Sequence, residues 1–455
     1  MSMNKVFSNK SLINGKYVVG IDPGDTAHKA IIISAEGFPI SKPFGFSVDF
    51  KGFQKFENKI LNEIPKEEHK NIVIGIESSC NLWQTFIDYF KDKYEIVKVS
   101  PLTTYLSRGK MSNNFSKTDN KDSYLVAAAT QQGNFTICYK HEPIYQELHN
   151  LNIYFNKISN NKIQAKLRLR GLVRIIFPEL LKCLKIDTLT CLYLLNNYMT
   201  PKDFLQMDIE KEAKSIKKIS ISQHGEKTLL KIKEFAKNSI GIKIESKYKS
   251  IRLILSSMIK TFQHFSEEIS EIGTALIELS KDTPYFEIIT SIKGVSDILA
   301  SQLIAELGDI KQNFNHYKQI EAFSGYNLRI SQSGKSSGAK HINKHANGRL
   351  GKVLYQIIRH TSRYIPEIKL KYLRRKLKKN IYKKNIIACI PQFLSMFFAL
   401  IKGNHKYELK EEKYNELIAM EKKNNIKSKE HIYYEINNIE KSRFSRPGKM
   451  EKINN

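Results

Sequence analysis

Cysteine is scarce in this sequence, and its positions are scattered. Five cysteines occur among 455 residues, and no two stand in a Cys-x-x-Cys spacing. The pattern therefore lacks the usual sequence signatures of structural zinc sites and of dithiol redox centres. An odd, separated set of cysteines is typical of a reducing compartment, so we expect a cytoplasmic protein.

Targeting signals and long apolar runs are also lacking. The N-terminal residues do not combine a basic stretch with an apolar core, so no signal peptide is predicted. The most apolar run, residues 386–401, is slightly short for a membrane span and contains Pro391 and Gln392. It favours a buried core helix, and we expect no membrane partner. No long internal repeat is found.

Acidic residues are few relative to basic ones. The sequence has 74 Lys and Arg against 45 Asp and Glu, which gives a formal net charge of +29. Such an excess suggests a polyanionic partner, with nucleic acid the first choice and an anionic membrane surface the second. Part of it reflects a chain rich in Lys, Ile and Asn throughout, which weakens the inference without removing it.

The sequence does contain enough apolar residues for folded cores. A hydrophobic content of 41% over 455 residues suits a globular protein of two or three domains. From residue 17 to about 135, strand-like runs alternate with helical patterns, which indicates an α/β domain. Strands are predicted near 17–24, 28–36, 43–48, 71–77 and 95–99, helices near 49–63, 82–93 and 118–132, and a loop over 106–116.

The pattern changes after residue 136, where long helical stretches dominate, notably 147–176 and 249–279. They predict a helical hairpin or coiled-coil arm. Basic residues recur every four positions on the first helix, and such a stripe can follow a phosphate backbone. A solvated charged face is the alternative. The residues are Lys162, Lys166, Arg170 and Arg174.

Glycine returns from residue 286 onwards. Residues 286–310 predict two helices around Lys293 and Gly294, a form in which backbone N–H groups can hold a duplex phosphate. Residues 323–340 are dense in Ser, Gly and basic residues. Helices are predicted near 348–364 and 386–402, and a charged, Lys-rich tail follows.

Two acidic residues stand at the ends of buried-strand patterns. Asp22 follows the apolar run 18–21, and Glu77 follows the run 72–76. A carboxylate there is costly unless it is paired, and a divalent cation is one candidate partner. For Asp22 the alternative is a turn residue that hydrogen-bonds the backbone of Gly24 or Asp25.

Two further acids, Asp119 and Asp122, lie three residues apart on one predicted helix and share a face. Taken alone, they also suit an N-cap and a first-turn acid. Two strand-end acids followed by such a pair are, however, typical of an RNase H-like fold. Four carboxylates that close together need a cation, and Mg²⁺ or Mn²⁺ can fill that role and activate a phosphate.

These motifs resemble those of the DEDD-type insertion-sequence transposases, whose relatives include Piv-type DNA invertases and bridge-RNA-guided recombinases. The resemblance runs from about residue 17 to 405. It rests on GIDPGDTAHKA at 20–30, IGIESS at 74–79, KTDNKDSYLVAAA at 117–129, IKGVSDILASQLIAELGDI at 292–310 and FSGYNLRISQSGK at 323–335.

The resemblance implies a RuvC-like domain and a serine nucleophile. Its metal site would consist of Asp22, Glu77, Asp119 and Asp122. The serine of the C-terminal domain would attack a DNA phosphate and form a phosphoserine link, and Ser333, followed by Gly334, matches it. A hydroxyl needs a proton acceptor and nearby cations for this step. The nearby cations are Arg329, Lys335 and Lys340.

Other interpretations of these serines stay open. Ser331, Ser336 and Ser337 lie close enough to be rivals of Ser333, and all four could instead be ordinary loop residues. The chain also departs from the family pattern. Leu328 stands where a proline is usual, and residues 346–351 replace the usual Gly-Asn-x-x-Leu-Arg; Arg349 is expected to supply the displaced, DNA-facing charge.

The resemblance predicts a DNA transposase or site-specific recombinase acting at insertion-sequence ends and targets in the nucleoid. A structured guide RNA and assembly as a dimer or tetramer are implied with it. The alternatives are a metal-dependent nuclease that hydrolyses branched DNA and a catalytically decayed nucleic-acid-binding protein. The predicted regions are a RuvC-like α/β domain (1–135), a helical arm (136–285), a mainly α serine-bearing domain with a helix-hairpin-helix-like element (286–405) and a basic tail (406–455).

Overall fold

The structure is a computed structural model with two compact units, Met1–Lys140 and His141–Asn455. It describes residues 3–111, 118–137, 142–242, 249–329, 332–333, 336–337, 341–342 and 346–426. Each unit is built around its own apolar cores.

The first unit alternates strands and helices. Its strands are β1 (Tyr17–Asp22), β2 (Ala27–Ile33), β3 (Phe44–Ser47), β4 (Ile72–Glu77), β5 (Glu95–Val99) and β6 (Thr136–Ile137). Its helices are α1 (Met3–Ile13), α2 (Phe50–Glu63), α3 (Gln84–Phe90), α4 (Pro101–Met111) and α5 (Asp119–Gln131), with a 3₁₀ turn at Lys66–Asn71.

The six strands form one mixed sheet in the order β3-β2-β1-β4-β5-β6. β1, β4 and β5 are parallel, whereas β2 pairs with β1 and β3 in antiparallel fashion, and β6 closes the other edge. An antiparallel three-strand meander continued by parallel strands is the RNase H-like arrangement. The predicted fold class of this unit is confirmed.

The two faces of the sheet are covered by different helices. One face packs against α2 and α3 through phenylalanines, among them Phe56 and Phe86, which are fully buried. The other face lies under α5, which contacts β1, β2, β4 and β5. Because side chains alternate along a strand, each side chain of β1 and β4 faces one of these two helical layers.

The prediction of a loop over residues 106–116 is wrong in its first half. Residues Pro101–Met111 form α4, and residues 112–117 lie outside the described part of the chain. The Ser100 hydroxyl accepts a hydrogen bond from the Leu102 N–H at 3.3 Å, and Pro101 takes the first helical position. Serine followed by proline is a common helix start.

The second unit is mainly helical. Its first part comprises α6 (Pro143–Ile176), α7 (Leu180–Cys183), α8 (Leu189–Asn197), α9 (Pro201–Gln206), α10 (Ile209–Ile219), α11 (Glu226–Lys237) and α12 (Lys249–Lys281). Its second part comprises α13 (Phe286–Thr290), α14 (Asp297–Leu307), α15 (Ile310–Asn313), α16 (Tyr317–Phe323), α17 (Gly348–Tyr364), α18 (Pro366–Leu377), α19 (Tyr382–Gly403) and α20 (Glu411–Lys423). Four two-residue strands lie between α16 and α17: β7 (Leu328–Arg329), β8 (Gln332–Ser333), β9 (Ser336–Ser337) and β10 (His341–Ile342).

Helices α6 and α12 pack along each other, as the apolar periodicity predicted. Between them, however, α7 to α11 form a small helical bundle whose core includes Phe177, Leu194 and Phe204 and is shared with α6 and α12. The arm is therefore more than a two-helix hairpin. Its middle portion buries apolar side chains in a compact cluster.

The last part of the chain packs around α14, α17 and α19. The predicted helix–turn–helix appears as α13 and α14, and the apolar run 386–401 lies within α19. By length and composition α19 could cross a membrane, but Ile390, Phe393 and Phe397 are fully buried in this protein core. Helix α18, which the sequence did not predict, precedes it.

Candidate functional site

Asp22 and Glu77 are placed side by side by the register of two parallel strands. Ile21 of β1 lies opposite Ile76 of β4, so the next residues, Asp22 and Glu77, end neighbouring strands at the same edge. The strand-end acids predicted from the sequence therefore lie next to each other. Glu77 is 8% exposed and Asp22 is partly exposed.

Two glycines let α5 approach these strand ends. Gly20 and Gly75 stand two residues before Asp22 and Glu77 and share their face of the sheet. A Cβ atom on Gly20 would lie 2.3 Å from the Ser123 carbonyl oxygen of α5, and one on Gly75 would lie 2.0 Å from Thr130 Oγ1. The absence of side chains at both positions allows α5 to rest directly on the sheet.

Asp122 lies in the first turns of α5, whose N-terminus is capped by the side chain of Thr118. It is only 1% exposed. The positive end of the helix dipole favours a carboxylate there. The backbone of Asp119 begins α5, and the Asp119 side chain lies outside the described part of the structure.

Helix α4 supplies two side chains that bond these acids. Thr104 donates its hydroxyl to Glu77 Oε2 at 2.5 Å. Arg108 makes a bidentate pair with Asp122, from Nε to Oδ1 at 2.8 Å and from Nη2 to Oδ2 at 2.7 Å. Thr104 and Arg108 are four residues apart and thus share one face of α4, which is the face turned towards the acids.

Three acids contribute to the electrostatic environment of Arg108. Its pKa is raised first by the hydrogen bonds to Asp122 and also by the negative charges of Asp122, Glu77 and Asp22. Three carboxylates therefore lie within electrostatic range of one guanidinium.

Neither Thr104 nor Arg108 was predicted from the sequence as a site residue. A signal was present, because Ser100-Pro101 marks a helix start and the two residues follow at helical spacing. Gly109 and the polar composition of the segment favoured a loop instead. The face that α4 turns towards the acids depends on packing, which no local pattern contains.

The turn after Asp22 is held by a buried histidine. The Gly24 N–H donates to His28 Nδ1 at 3.2 Å, and the His28 ring lies among Phe46, Phe53 and Phe86. Burial lowers the His28 pKa and so favours the neutral ring. A neutral His28 can accept the backbone bond that shapes this turn.

The donor chemistry of the site suits a hard divalent cation. Carboxylate oxygens are the ligands that Mg²⁺ and Mn²⁺ prefer, and three such groups lie within electrostatic range of Arg108. As the described side chains stand, no three Asp, Glu, His or Cys residues are grouped closely enough to hold a metal ion. Arg108 occupies both oxygens of Asp122 in this arrangement.

The serine segment is described only in part. Ser333 ends β8, which pairs in antiparallel fashion with β9, so that Ser333 lies opposite Ser336. The side chains of Ser333, Ser336, Ser337 and Arg329 lie outside the described part of the structure, as do the whole residues Ser331, Gly334, Lys335 and Lys340. Their predicted roles stay predictions.

The end of this segment is anchored by a buried carboxylate. Glu306 of α14 has a side chain with 0% exposure. It accepts hydrogen bonds from Arg349 Nε and Asn347 Nδ2, both at 2.6 Å, and from Asn152 Nδ2 of α6 at 2.7 Å. Gln302 Nε2 donates to Asn152 Oδ1 at 3.2 Å and extends the network. Arg349, predicted to face DNA, thus has an intramolecular partner.

Several other predicted nucleic-acid contacts have local packing roles. Lys166 bonds Asp187 at 2.6 Å, and Lys162 lies over the Phe262 ring. Gly294 has φ +94° and packs against α17, where a Cβ would lie 2.9 Å from Tyr364 Cδ2. The same ring lies under Lys293 Nζ. By contrast, two members of the basic stripe on α6 are exposed: Arg170 and Arg174.

Two family models match the chain. A transposase model of the DEDD type matches residues 19–178, and the model described as "Transposase IS116/IS110/IS902 family" matches residues 286–373. No curated protein matches. Among solved structures, "T. thermophilus RuvC in complex with Holliday junction substrate" is similar at 10% identity and a TM-score of 0.20, covering 27% of this chain and 99% of that chain.

Proposed function

The chain belongs to the IS110-type family of DEDD transposases, and from that premise we propose that it cuts and rejoins DNA at insertion-sequence ends and targets. The observation that carries this proposal is that Asp22 and Glu77 end two paired parallel strands, while Asp122 bonds Arg108, whose pKa all three carboxylates raise. Carboxylates grouped in this way favour a divalent cation. A cation-dependent reaction on phosphate explains why they are grouped.

The proposed metal ligands are Asp22, Glu77, Asp119 and Asp122. Bound there, Mg²⁺ or Mn²⁺ would supply charge stabilisation for phosphoryl transfer. Glu77 is oriented by Thr104, and Asp122 is held by Arg108. These two residues of α4 position the carboxylates without touching the DNA chain in the reaction itself.

Ser333 is the proposed nucleophile. Its Oγ forms a bond to phosphorus, the phosphorus–oxygen bond to one deoxyribose breaks, and the serine proton leaves to a nearby acceptor. The released sugar hydroxyl can later attack the phosphoserine ester, which restores the serine and rejoins a strand. Arg329, Lys335 and Lys340 are the proposed cations at the phosphate.

The partners follow from the family rather than from contacts in the chain. DNA is the substrate. A structured guide RNA that selects donor and target, and a homodimer or homotetramer, complete the proposal. Site-specific recombination, rather than transposition to many sites, would follow from such guidance. The exposed Arg170 and Arg174 are proposed phosphate contacts.

The experiment that tests the proposal is a search for a covalent protein–DNA adduct. The full chain is incubated with an element end, candidate guide RNA and Mg²⁺, and the products are separated under denaturing conditions. The expected result is an adduct that is lost in EDTA, in Ser333→Ala and in Asp22→Asn. Tandem mass spectrometry should then find the nucleotide on Ser333.

A matched variant tells the serines apart. Ser336→Ala, directly across the strand pair from Ser333, should keep the adduct. Cleaved DNA without an adduct, unchanged by Ser333→Ala, would instead support the hydrolytic nuclease. Salt-sensitive DNA binding without any Mg²⁺-dependent product would support a decayed binding protein.

A further inference from the structure

The turn between α18 and α19 carries a dense group of basic residues, none of which was predicted from the sequence as a nucleic-acid contact. Residues 371–384 contain eight Lys and Arg and no Asp or Glu. Most of this group lies beyond residue 373, where the matching family model ends.

Five of these residues have no acidic partner. Lys376, Lys378, Lys379, Lys383 and Lys384 are exposed, and none forms an ion pair with any carboxylate in the described part of the chain. Arg374, on the neighbouring turn of α18, is by contrast bonded to Glu416 of α20. Five unpaired ammonium groups within nine residues repel one another, which is a cost unless an anion is present for part of the time.

The lysines are presented on an ordered turn. The N–H of Lys379 donates to the Lys376 carbonyl at 2.9 Å, and the N–H of Asn380 donates to the Arg375 carbonyl at 3.3 Å. Asn385, which is 1% exposed, donates its Nδ2 to the Asn380 carbonyl at 3.1 Å. The end of α18 and the start of α19 are thus tied together, and the backbone that carries the lysines is ordered.

Exposed apolar side chains stand among the lysines. Leu377, Ile381 and Tyr382 are 46%, 64% and 48% exposed. The Tyr382 ring is braced edge-on against Tyr372 at 6.2 Å between centroids. Cations interleaved with partly exposed apolar and aromatic groups suit the backbone of a nucleic acid, where ammonium groups meet phosphates and apolar groups meet sugars.

We propose that residues 376–384 form a docking surface for the phosphate backbone of duplex DNA, made of residues that belong to neither the acid site nor the serine segment. The proposal rests on the proposed function only in taking DNA as the substrate. A membrane surface is disfavoured as the occupant, because insertion of α19 beside it would remove Ile390, Phe393 and Phe397 from the protein core.

The test compares two variants of the full chain that lose the same charge. In the first, Lys376, Lys378, Lys383 and Lys384 are changed to Gln. Lys379 is kept because its φ of +54° makes the turn sensitive to substitution. In the control, Lys211, Lys214, Lys217 and Lys218 of α10 are changed to Gln; they are also exposed, but Asp208 and Glu210 precede them and Glu212 lies among them.

Duplex DNA affinity is measured as a function of salt for both variants, with unfolding temperatures as a check on folding. In the first variant the slope of log K against log salt should become shallower by up to about 3.6, the value for four lost phosphate contacts. Affinity at about 0.15 M salt should fall at least about tenfold. In the control the slope should change by less than about 1.

A second measurement needs no variant. On the wild-type chain, reaction of lysines with an acetylating reagent, followed by mass spectrometry, should show protection of Lys378 and Lys384 when duplex DNA is bound and none of Lys214. Equal slopes for the two variants, an effect confined to duplex RNA, or binding of phosphatidylserine vesicles without an effect on DNA would each overturn the proposal. A missing Ser333 adduct would refute the proposed chemistry but leave this result intact.

Discussion

Two buried carboxylates in this protein, Asp122 and Glu306, each bond an arginine, but their surroundings differ. Glu306 has one cation, Arg349, and amide donors from Asn152 and Asn347, so its charge and hydrogen bonds are balanced. Asp122 bonds Arg108, which also lies within electrostatic range of Glu77 and Asp22, so several carboxylates are grouped around one arginine.

The difference separates a structural acid from one prepared for a cation. A carboxylate whose partners saturate it can be buried without further help. Carboxylates that lie close to one another repel, and a divalent ion relieves that repulsion. The four predictions below test this distinction, from the largest expected effect to the smallest.

Asp122→Asn should abolish DNA cleavage, whereas Glu306→Gln should not. A metal site that stabilises a developing charge contributes several kcal/mol, so loss of a ligand should lower DNA cleavage at least about 1,000-fold. Cleavage by Glu306→Gln, measured well below its unfolding temperature, should stay within about tenfold of wild type. Comparable losses in the two variants would contradict the distinction.

Gly20→Ala should displace α5 and with it Asp122. The new Cβ would lie 2.3 Å from the Ser123 carbonyl oxygen and 2.4 Å from the Ala127 nitrogen, both backbone atoms that cannot rotate away. We expect a loss of about 3 kcal/mol in the free energy of unfolding, at the upper end of the usual cost of overpacking.

The matched control for that variant is Gly171→Ala on the exposed side of α6. A Cβ there meets nothing within 4 Å, and alanine in a helix is favoured over glycine by about 1 kcal/mol. Urea unfolding of both variants measures the two effects, which should have opposite signs. A neutral Gly20→Ala would mean that α5 is not seated on β1 as described.

Arg108→Gln should make the stability of the first unit depend on Mg²⁺. Without the ion, Asp122 loses its bidentate partner, and we expect a cost of about 1–3 kcal/mol. Added Mg²⁺ should restore stability more in this variant than in wild type, because Arg108 no longer competes for the oxygens of Asp122. Thermal unfolding in EDTA and in Mg²⁺ measures this directly.

The control for the metal effect is Lys93→Gln. Lys93 pairs with Glu57 at 3.0 Å elsewhere in the same unit, and this pair is far more exposed to solvent than Arg108 and Asp122. Its loss should leave the Mg²⁺ response unchanged. If Arg108→Gln and Lys93→Gln respond alike, the acid cluster has no special affinity for the ion.

Glu306→Gln should have the smallest effect on the free energy of unfolding, and Mg²⁺ should not change that effect. Glutamine keeps an oxygen for one amide donor but leaves the partly exposed Arg349 without its charge partner, which suggests a loss of about 1–2 kcal/mol. Urea unfolding of the second unit measures it. A Mg²⁺-dependent recovery in this variant would show that Glu306 also belongs to a cation site.

Much of the acid site could be predicted from the sequence because its parts are local. Apolar runs that end at Asp22 and Glu77, and a helix start at Thr118, place three carboxylates on defined ends of defined elements. Parallel neighbours then bring strand ends together. The spacing of Asp119 and Asp122 on one helix face also needs only the helical repeat.

Other features depend on contacts distant in sequence. Arg108 reaches Asp122 only because α4 turns one particular face to the sheet, and Glu306 meets Asn152 across a separation of 154 residues. The helical bundle of residues 177–242 could likewise not be predicted, since the pattern of a short amphipathic helix does not indicate which other helices pack against its apolar face.

The sequence by itself determined the acid-bearing strands, the RNase H-like order and the positive charge of this protein, because backbone alternation and composition are properties of short stretches. The tertiary structure alone decided which cation stands beside which carboxylate. Pairing energies depend on distances between side chains from separate elements, and packing of α4, α5 and α17 sets those distances.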